Sequence, residues 1–315
     1  MSTDPIRVAV VGAGAVGSYF GALLARAGHP VTLIGRAAHV EAIRREGLRL
    51  HMAGRVDAIA VGASVELAAA SGADLVLFCV KSTDTEAVAA ALSPHLAPQA
   101  LVLSLQNGVE NAATLARHLA AVVVPAVVYV ATSMSAPGCV EHHGRGDLVI
   151  GALPATDAAR VPDDATLRGL ASLFARAGVP VRISPDVRSE LWSKLMVNCA
   201  YNAVSALAQA PYAALATLPA VRDLQATVVA EVVAVAAAVG VTLPLDAALR
   251  SMAQIATAMP AQLSSTAQDM ARGKPSEIDH LNGFIVRRGT ALGVATPANQ
   301  ALHALVKLVE ARRGS

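Results

Sequence analysis

"RVAVVGAGAVGSYFGALLARAG", Arg7 to Gly28, reads as a strand, a glycine turn and a helix in immediate succession. Arg7 to Gly12 is a short apolar run of the kind that forms a strand buried on both faces, and Ser18 to Gly28 has helical patterning closed by glycine. Between them "GAGAVG", Gly12 to Gly17, fits G-x-G-x-x-G. Alone that pattern is weak; between a strand and a helix it carries a mechanism. Gly12 permits the tight turn, Gly14 lets backbone approach a pyrophosphate, and Gly17 allows close helix packing. The helix start then offers free N–H groups and a partial positive charge to phosphates. Gly12, Ala13, Gly14, Ala15, Val16 and Gly17 are therefore expected to hold a dinucleotide; the alternative is a glycine-rich turn that binds nothing.

Outward from this unit the same alternation continues. "PVTLIG" reads as a second strand, and apolar runs follow at Ala73 to Lys81, Ala100 to Gly108 and Ala121 to Ala131, separated by helix-like segments such as "DTEAVAAALSPHL". Alternating strands and helices predict a Rossmann-type α/β fold with a doubly wound, mostly parallel sheet. After "VPVRISPD", Val179 to Asp186, the strands stop and helical patterns run nearly to the end. Two domains are expected: residues 1–185, binding the dinucleotide, and an all-helical domain over residues 186–315. At the end of the second predicted strand an NAD site usually carries an acidic residue for the ribose 2′-hydroxyl. Here the chain reads "LIGRAAHVE", with Arg36 at that point. A guanidinium suits a 2′-phosphate, so NADP(H) is the expected cofactor; otherwise Arg36 is a solvated loop residue. Lys81 and Asn107 fall at C-terminal strand ends, where ligands of open α/β sheets bind, though either residue could merely cap a turn.

Composition narrows the partners. Hydrophobic residues make up 54% of the 315 and charged residues 15%, which raises the question of a membrane. The apolar runs do not reach the roughly 20 clean residues a span requires. Leu119 to Ala131 is broken by Pro125, and Ala226 to Val241 carries Glu231 in its middle. The latter run reads as core or as the seam of a homodimer. The N-terminal residues lack the features of a secretory signal, so the cytoplasm is expected. The three cysteines, Cys79, Cys139 and Cys199, are in no metal-ligand spacing and read as free buried thiols; no metal is expected. A net charge of +2, with no basic cluster beyond short pairs such as Arg44-Arg45 and with 3% aromatics, argues against nucleic acid.

"LWSKLMVNCAYNAVSAL", Leu191 to Leu207, is apolar enough for a buried helix, yet Lys194, Asn198 and Asn202 recur at intervals of four. Positions four apart drift by only about 40° around a helix, so the three form one polar line. Hydride transfer to a ketone leaves an alkoxide that must be protonated, and an ammonium can polarise the carbonyl and donate that proton. Lys194 fits this role, with the amides of Asn198 and Asn202 holding substrate hydroxyl and carboxylate groups. The competing reading has Lys194 reaching to water and the asparagines tying helices together. Further on, "SSTAQDMARGKPSEIDHLNGF" contains Ser264-Ser265 and a predicted helix start at "SEID", where Ser276 and Asp279 resemble a capping pair and Glu277 complements the dipole.

"GAGAVG", "CVKS", "LQNGVEN", "LWSKLMVNCAYN" and "SSTAQDMARGKPSEIDHLNGFIVRRG", in this order over nearly the whole chain, resemble the ketopantoate reductase (2-dehydropantoate 2-reductase) family. The resemblance implies NADPH-dependent reduction of 2-dehydropantoate, a small 2-oxo acid, to (R)-pantoate on the route to pantothenate and coenzyme A. It makes Lys194 the proton donor, with Asn198, Asn202 and Ser265 as substrate contacts. Asn107 would touch nicotinamide and substrate, Glu277 would sit beside the lysine and touch cofactor, Lys81 would lie near the cofactor and Arg36 on its 2′-phosphate. Closure of the two domains around substrate would complete the site. Two departures fall on the substrate side: Tyr212 follows Pro211 where some members carry asparagine, and "NPLTA" of some members reads "NAVSA" from Asn202. They leave open a reductase of another branched or hydroxylated 2-oxo acid. A non-catalytic NADPH sensor is the alternative of a different class.

Overall fold

The computed structural model describes residues 4–153 and 160–313; the outer ends of the two expected domains, 1–3 and 314–315, lie outside the described residues. The chain divides into two compact units, Met1–Glu190 and Leu191–Ser315.

The first unit opens with β1 (Val8–Val11), α1 (Ala15–Arg26), β2 (Val31–Ile34), α2 (Ala37–Glu46), β3 (Leu48–Met52), β4 (Arg55–Ile59) and β5 (Gly62–Ser64). It continues through β6 (Leu75–Phe78), α3 (Thr85–Leu92), β7 (Leu101–Ser104), α4 (Asn111–His118), β8 (Val122–Ala136), β9 (Cys139–Ile150), α5 (Asp164–Arg176) and β10 (Val181–Ile183). One sheet runs in the order β4-β3-β9-β8-β7-β6-β1-β2-β5, with β10 also on β9. From β5 to β8 every neighbouring pair is parallel. Both faces of the central strands β1 and β6 are covered, which is why these two are apolar throughout rather than alternating. Val8, Val10, Leu33, Leu77 and Leu103 pack with Phe20 and Leu24 of α1 and Phe174 of α5. Ala9, Val11, Val76, Phe78 and Val102 pack on the opposite face with Leu92 of α3 and Leu115 of α4. This is the Rossmann-type architecture that Arg7 to Gly28 predicts.

The sheet is mostly parallel, as expected, and only its far side is mixed: β9 pairs parallel with β3 and with β10. β3 and β4 form an antiparallel hairpin, and β8 runs on to Ala136 and pairs antiparallel with β9. β9, "CVEHHGRGDLVI", has too many charged and glycine residues to announce itself as a strand. Its pairing with β8, with register shifts at Tyr129/Val130 and Ala131/Thr132, makes it one.

The second unit is helical: α6 (Val187–Ala208, beginning in the last residues of the first unit), α7 (Tyr212–Leu215), α8 (Pro219–Ala238), α9 (Leu245–Ala258), α10 (Ser265–Ala271), α11 (Asn282–Leu292) and α12 (Pro297–Arg313). Pro219 and Pro297 stand at the first position of their helices, where the missing N–H costs no hydrogen bond. The alanine/valine run lies on α8, with Val228, Val229, Val232, Val235 and Ala236 fully buried. Glu231 on the same helix is buried too: its carboxylate accepts from the backbone N–H of Ala298 (2.8 Å) and Asn299 (2.9 Å) at the start of α12 and from Asn299 Nδ2 (2.7 Å). Asn299 Oδ1 in turn accepts from Asn282 Nδ2 (2.9 Å), which also reaches the Cys199 carbonyl of α6 (3.1 Å). Among the described residues no helix is long and apolar enough to cross a membrane.

Candidate active site

The glycine turn is closely packed at Gly12 and Gly17 and open at Gly14. Gly12 adopts φ 103°, and a methyl group on it would lie 2.6 Å from the Val80 backbone nitrogen. Gly17 faces the turn so closely that a methyl group would lie 2.4 Å from the Gly12 carbonyl oxygen. Gly14, by contrast, has nothing within 4 Å of where a methyl group would stand. Approach to the backbone is open there. The start of α1 carries no side-chain cap and no acidic residue in its first turn, so its N–H groups keep their capacity for an anion.

Strand register aligns the other first-unit candidates. Val11 pairs with Ile34 and with Phe78, and Phe78 with Ser104, so β2, β1, β6 and β7 end level. Arg36, the glycine turn, Lys81 and Asn107 all follow at these C-terminal ends. Arg36 is exposed at the start of α2, and its guanidinium makes no hydrogen bond or ion pair among the described residues. Lys81 and Asn107 are half-buried.

Beneath Lys81 and Asn107 lies a set of buried side chains that periodicity does not reveal. Gln106 Nε2 donates to the Val80 carbonyl (3.0 Å) and to Thr85 Oγ1 (2.7 Å), and Thr85 Oγ1 donates to Asn111 Oδ1 (2.9 Å). Asn111 Nδ2 donates to Ser82 Oγ (3.1 Å) and to the Asn107 carbonyl (2.6 Å), which Ser82 Oγ also meets at 3.0 Å. "LQNGVEN" contains Gln106 and Asn111 around Asn107, but their link through Thr85 depends on strand neighbours.

In the second unit Lys194 and Asn198 are half-buried on α6. Asn202, one turn further, is 3% exposed and donates to Ser265 Oγ (3.4 Å) and Thr266 Oγ1 (3.3 Å). The structure thus brings Asn202 and Ser265 together. Ser264 accepts from the Ala267 N–H (3.0 Å) as the cap of α10 while donating to the Asn202 carbonyl (3.2 Å). Glu277 is half-buried in the turn preceding Ile278–His280. Of the capping pair expected at Ser276 and Asp279 only one half forms: Ser276 Oγ accepts from the Ile278 N–H (3.2 Å) at the start of the short turn Ile278–His280, but Asp279 does not reach back to Ser276. Asp279 turns instead to His303 Nε2 (2.6 Å) and Lys307 Nζ (2.8 Å) of α12, and the Ser276 N–H is taken by Glu310 Oε1 (2.8 Å). Burial opposes ionisation of Asp279, yet the hydrogen bonds from Lys307 and His303 outweigh it and hold its carboxyl below the usual range. Tyr212 is buried, its ring 4.7 Å from that of Tyr201, and burial pushes its hydroxyl pKa up. Cys139 and Cys199 are buried free thiols, and Cys79 is a free, partly buried one.

A level row of strand ends around an open glycine turn, followed by a helical unit with a lysine–asparagine line, defines a Rossmann-type protein with a helical C-terminal unit. Residues 8–155 match the family model described as ketopantoate reductase PanE/ApbA, and residues 186–310 match that of its C-terminal part. The chain belongs to the ketopantoate reductase family. It is 33% identical over 308 residues to the 2-dehydropantoate 2-reductase of Halobacterium salinarum, covering 97% of this chain and 99% of that one. The corresponding protein of Caulobacter vibrioides is 36% identical over 302 residues, covering 95% and 97%. A crystal structure of a PanE/ApbA family ketopantoate reductase from Ralstonia eutropha superposes with a TM-score of 0.90 at 54% identity, covering 98% and 100%. A D-mandelate dehydrogenase solved with NADH and anilino(oxo)acetate shares the fold, with a TM-score of 0.90 at 24% identity over 98% and 99%.

Proposed function

We propose that the protein reduces 2-dehydropantoate to (R)-pantoate with NADPH, as a cytoplasmic step toward pantothenate and coenzyme A. The observation that carries this reading is the line of Lys194, Asn198 and Asn202 on a helix most of whose other residues from Leu191 to Ala206 are buried. The first-unit residues fit a dinucleotide, since the open face at Gly14 and the uncapped start of α1 suit a pyrophosphate, and the exposed Arg36, without a side-chain partner among the described residues, suits a 2′-phosphate. The bound nicotinamide supplies the hydride. Asn107 and Lys81 orient it from the neighbouring strand ends. Lys194 polarises the substrate carbonyl and delivers a proton to its oxygen as negative charge develops there. Asn198 and Ser265 hold the substrate's polar groups, and Asn202 both contacts substrate and steadies Ser265. Glu277 keeps the lysine and cofactor in the active arrangement.

A second reading has the same chemistry on another branched or hydroxylated 2-oxo acid. Tyr212, packed on Tyr201 where some members carry an asparagine, is the observation that favours it. The fold does not choose between them, because it also carries a D-mandelate dehydrogenase. Nicotinamide absorbance with purified protein, a panel of 2-oxo acids and both NADPH and NADH tests the assignment. Preference for 2-dehydropantoate with NADPH supports it; turnover of another 2-oxo acid with little of 2-dehydropantoate replaces it with the second reading. Lys194→Ala is expected to lower kcat by about 10²- to 10⁴-fold while NADPH still binds. Unchanged turnover would remove Lys194 from the chemistry. If the wild-type protein binds NADPH but reduces none of the panel, it is a sensor.

A further inference from the structure

Val80 and Asn107 stand on neighbouring loops, after β6 and β7, and their carbonyl oxygens are the two ends of one buried relay. Gln106 holds the Val80 carbonyl; Thr85 links Gln106 to Asn111; Asn111 and Ser82 together hold the Asn107 carbonyl. Thr85 and Asn111 are also the first residues of α3 and α4. Thr85, Gln106 and Asn111 are 2%, 6% and 7% exposed, so water cannot replace a lost partner without disrupting the packing. Together they lock the loop bearing Lys81 and the loop bearing Asn107 into one rigid piece.

We propose that Thr85, Gln106 and Asn111 are positioning residues for hydride transfer, acting through Lys81 and Asn107; this rests on the reading above. The Thr85 hydroxyl is the midpoint, accepting from Gln106 and donating to Asn111, so its removal cuts the relay there with little change of volume and leaves the two loops joined through Ser82. Reacting atoms must be held close and aligned, and misplacement by about 1 Å costs on the order of 100-fold in rate. Loosening the two loops is therefore expected to impair the chemical step more than substrate affinity.

The test compares Thr85→Val, which deletes the hydroxyl, with Thr85→Ser, which keeps it, in the full chain. For Thr85→Val the expected result is a kcat lower by about tenfold or more with KM for the 2-oxo acid little changed. The deuterium isotope effect on kcat with 4-deuterated NADPH should rise at the same time, because hydride transfer becomes slower than the other steps. Thr85→Ser should restore both. Amide hydrogen exchange over residues 105–110 should quicken in Thr85→Val alone. A Thr85→Val protein with wild-type exchange, kcat and isotope effect overturns the proposal, as does an equal loss in both variants. If Thr85→Val does not fold, Gln106→Leu and Asn111→Leu take its place with the same expectations. A wild-type protein inactive on every 2-oxo acid removes the functional reading instead; unchanged exchange in the variant then overturns the relay, and quickened exchange keeps it as a lock on the two loops.

Discussion

Gly17 and Gly12 are in such close contact that a single added methyl group on Gly17 would lie 2.4 Å from the Gly12 carbonyl oxygen, whereas the same group on Gly14 would meet nothing within 4 Å. The two glycines therefore serve different ends. Gly17→Ala forces the helix off the strand and is expected to destabilise the protein by about 1–3 kcal/mol, read as a lower urea midpoint. Gly14 has φ −83°, which alanine accepts. Gly14→Ala should leave the midpoint unchanged and weaken NADPH binding by about tenfold or more, about 1.4 kcal/mol, because the methyl group occupies the pyrophosphate's approach.

Arg36 offers an exposed guanidinium at the strand end where a 2′-phosphate would lie. A charge-assisted contact contributes about 1.5–3 kcal/mol. Arg36→Ala should raise KM for NADPH by about 10- to 100-fold while leaving KM for NADH unchanged. Equal KM changes for both cofactors would remove the residue from 2′-phosphate recognition.

The Glu231 carboxylate accepts three N–H groups and ties α8 to the first turn of α12. Glu231→Ala leaves the two Asn299 donors buried, and the Ala298 N–H partly buried, without this acceptor, and a loss of about 2–5 kcal/mol in unfolding free energy is expected from urea titration. Glu231→Gln keeps one acceptor oxygen and should lose less.

Asp279 fastens the turn next to Glu277 to α12 through Lys307 and His303. Its carboxyl pKa lies below the unfolded value of about 3.9, so the stabilisation it provides is complete above about pH 4 and is lost as pH falls through the depressed native pKa. Lys307, raised chiefly by its hydrogen bond to Asp279, loses its share as pH rises past about 10. Asp279→Asn should lower stability at neutral pH and flatten the decline at both extremes. Thermal midpoints measured from pH 2 to 11 check this; parallel wild-type and variant curves would contradict it.

Much of the architecture was legible locally. The strand, glycine turn and helix of Arg7 to Gly28, the parallel strands β2, β6 and β7, and the shift to helices after Asp186 all follow from periods and turn residues within a few positions of one another. The polar line of Lys194, Asn198 and Asn202 was legible for the same reason, since helical spacing alone aligns it. β9 was not, because its charged residues become a strand only against β8. Nor was the half-formed cap at Ser276: its hydroxyl holds the Ile278 N–H, but the return bond from Asp279 is lost to Glu310 and Lys307, which arrive from α12 some thirty residues later.

Sequence by itself determined the Rossmann-type class, the glycine turn between β1 and α1 and the lysine helix, because backbone sterics and helical period act between near neighbours. Tertiary structure alone decided that Asn202 meets Ser265, that Glu231 caps a distant helix, and that Thr85 joins Gln106 to Asn111. These pairs lie on separate elements, and only the closing of the sheet and the packing of the helices bring their buried polar atoms within reach, where each must find a partner or carry the cost of being without one.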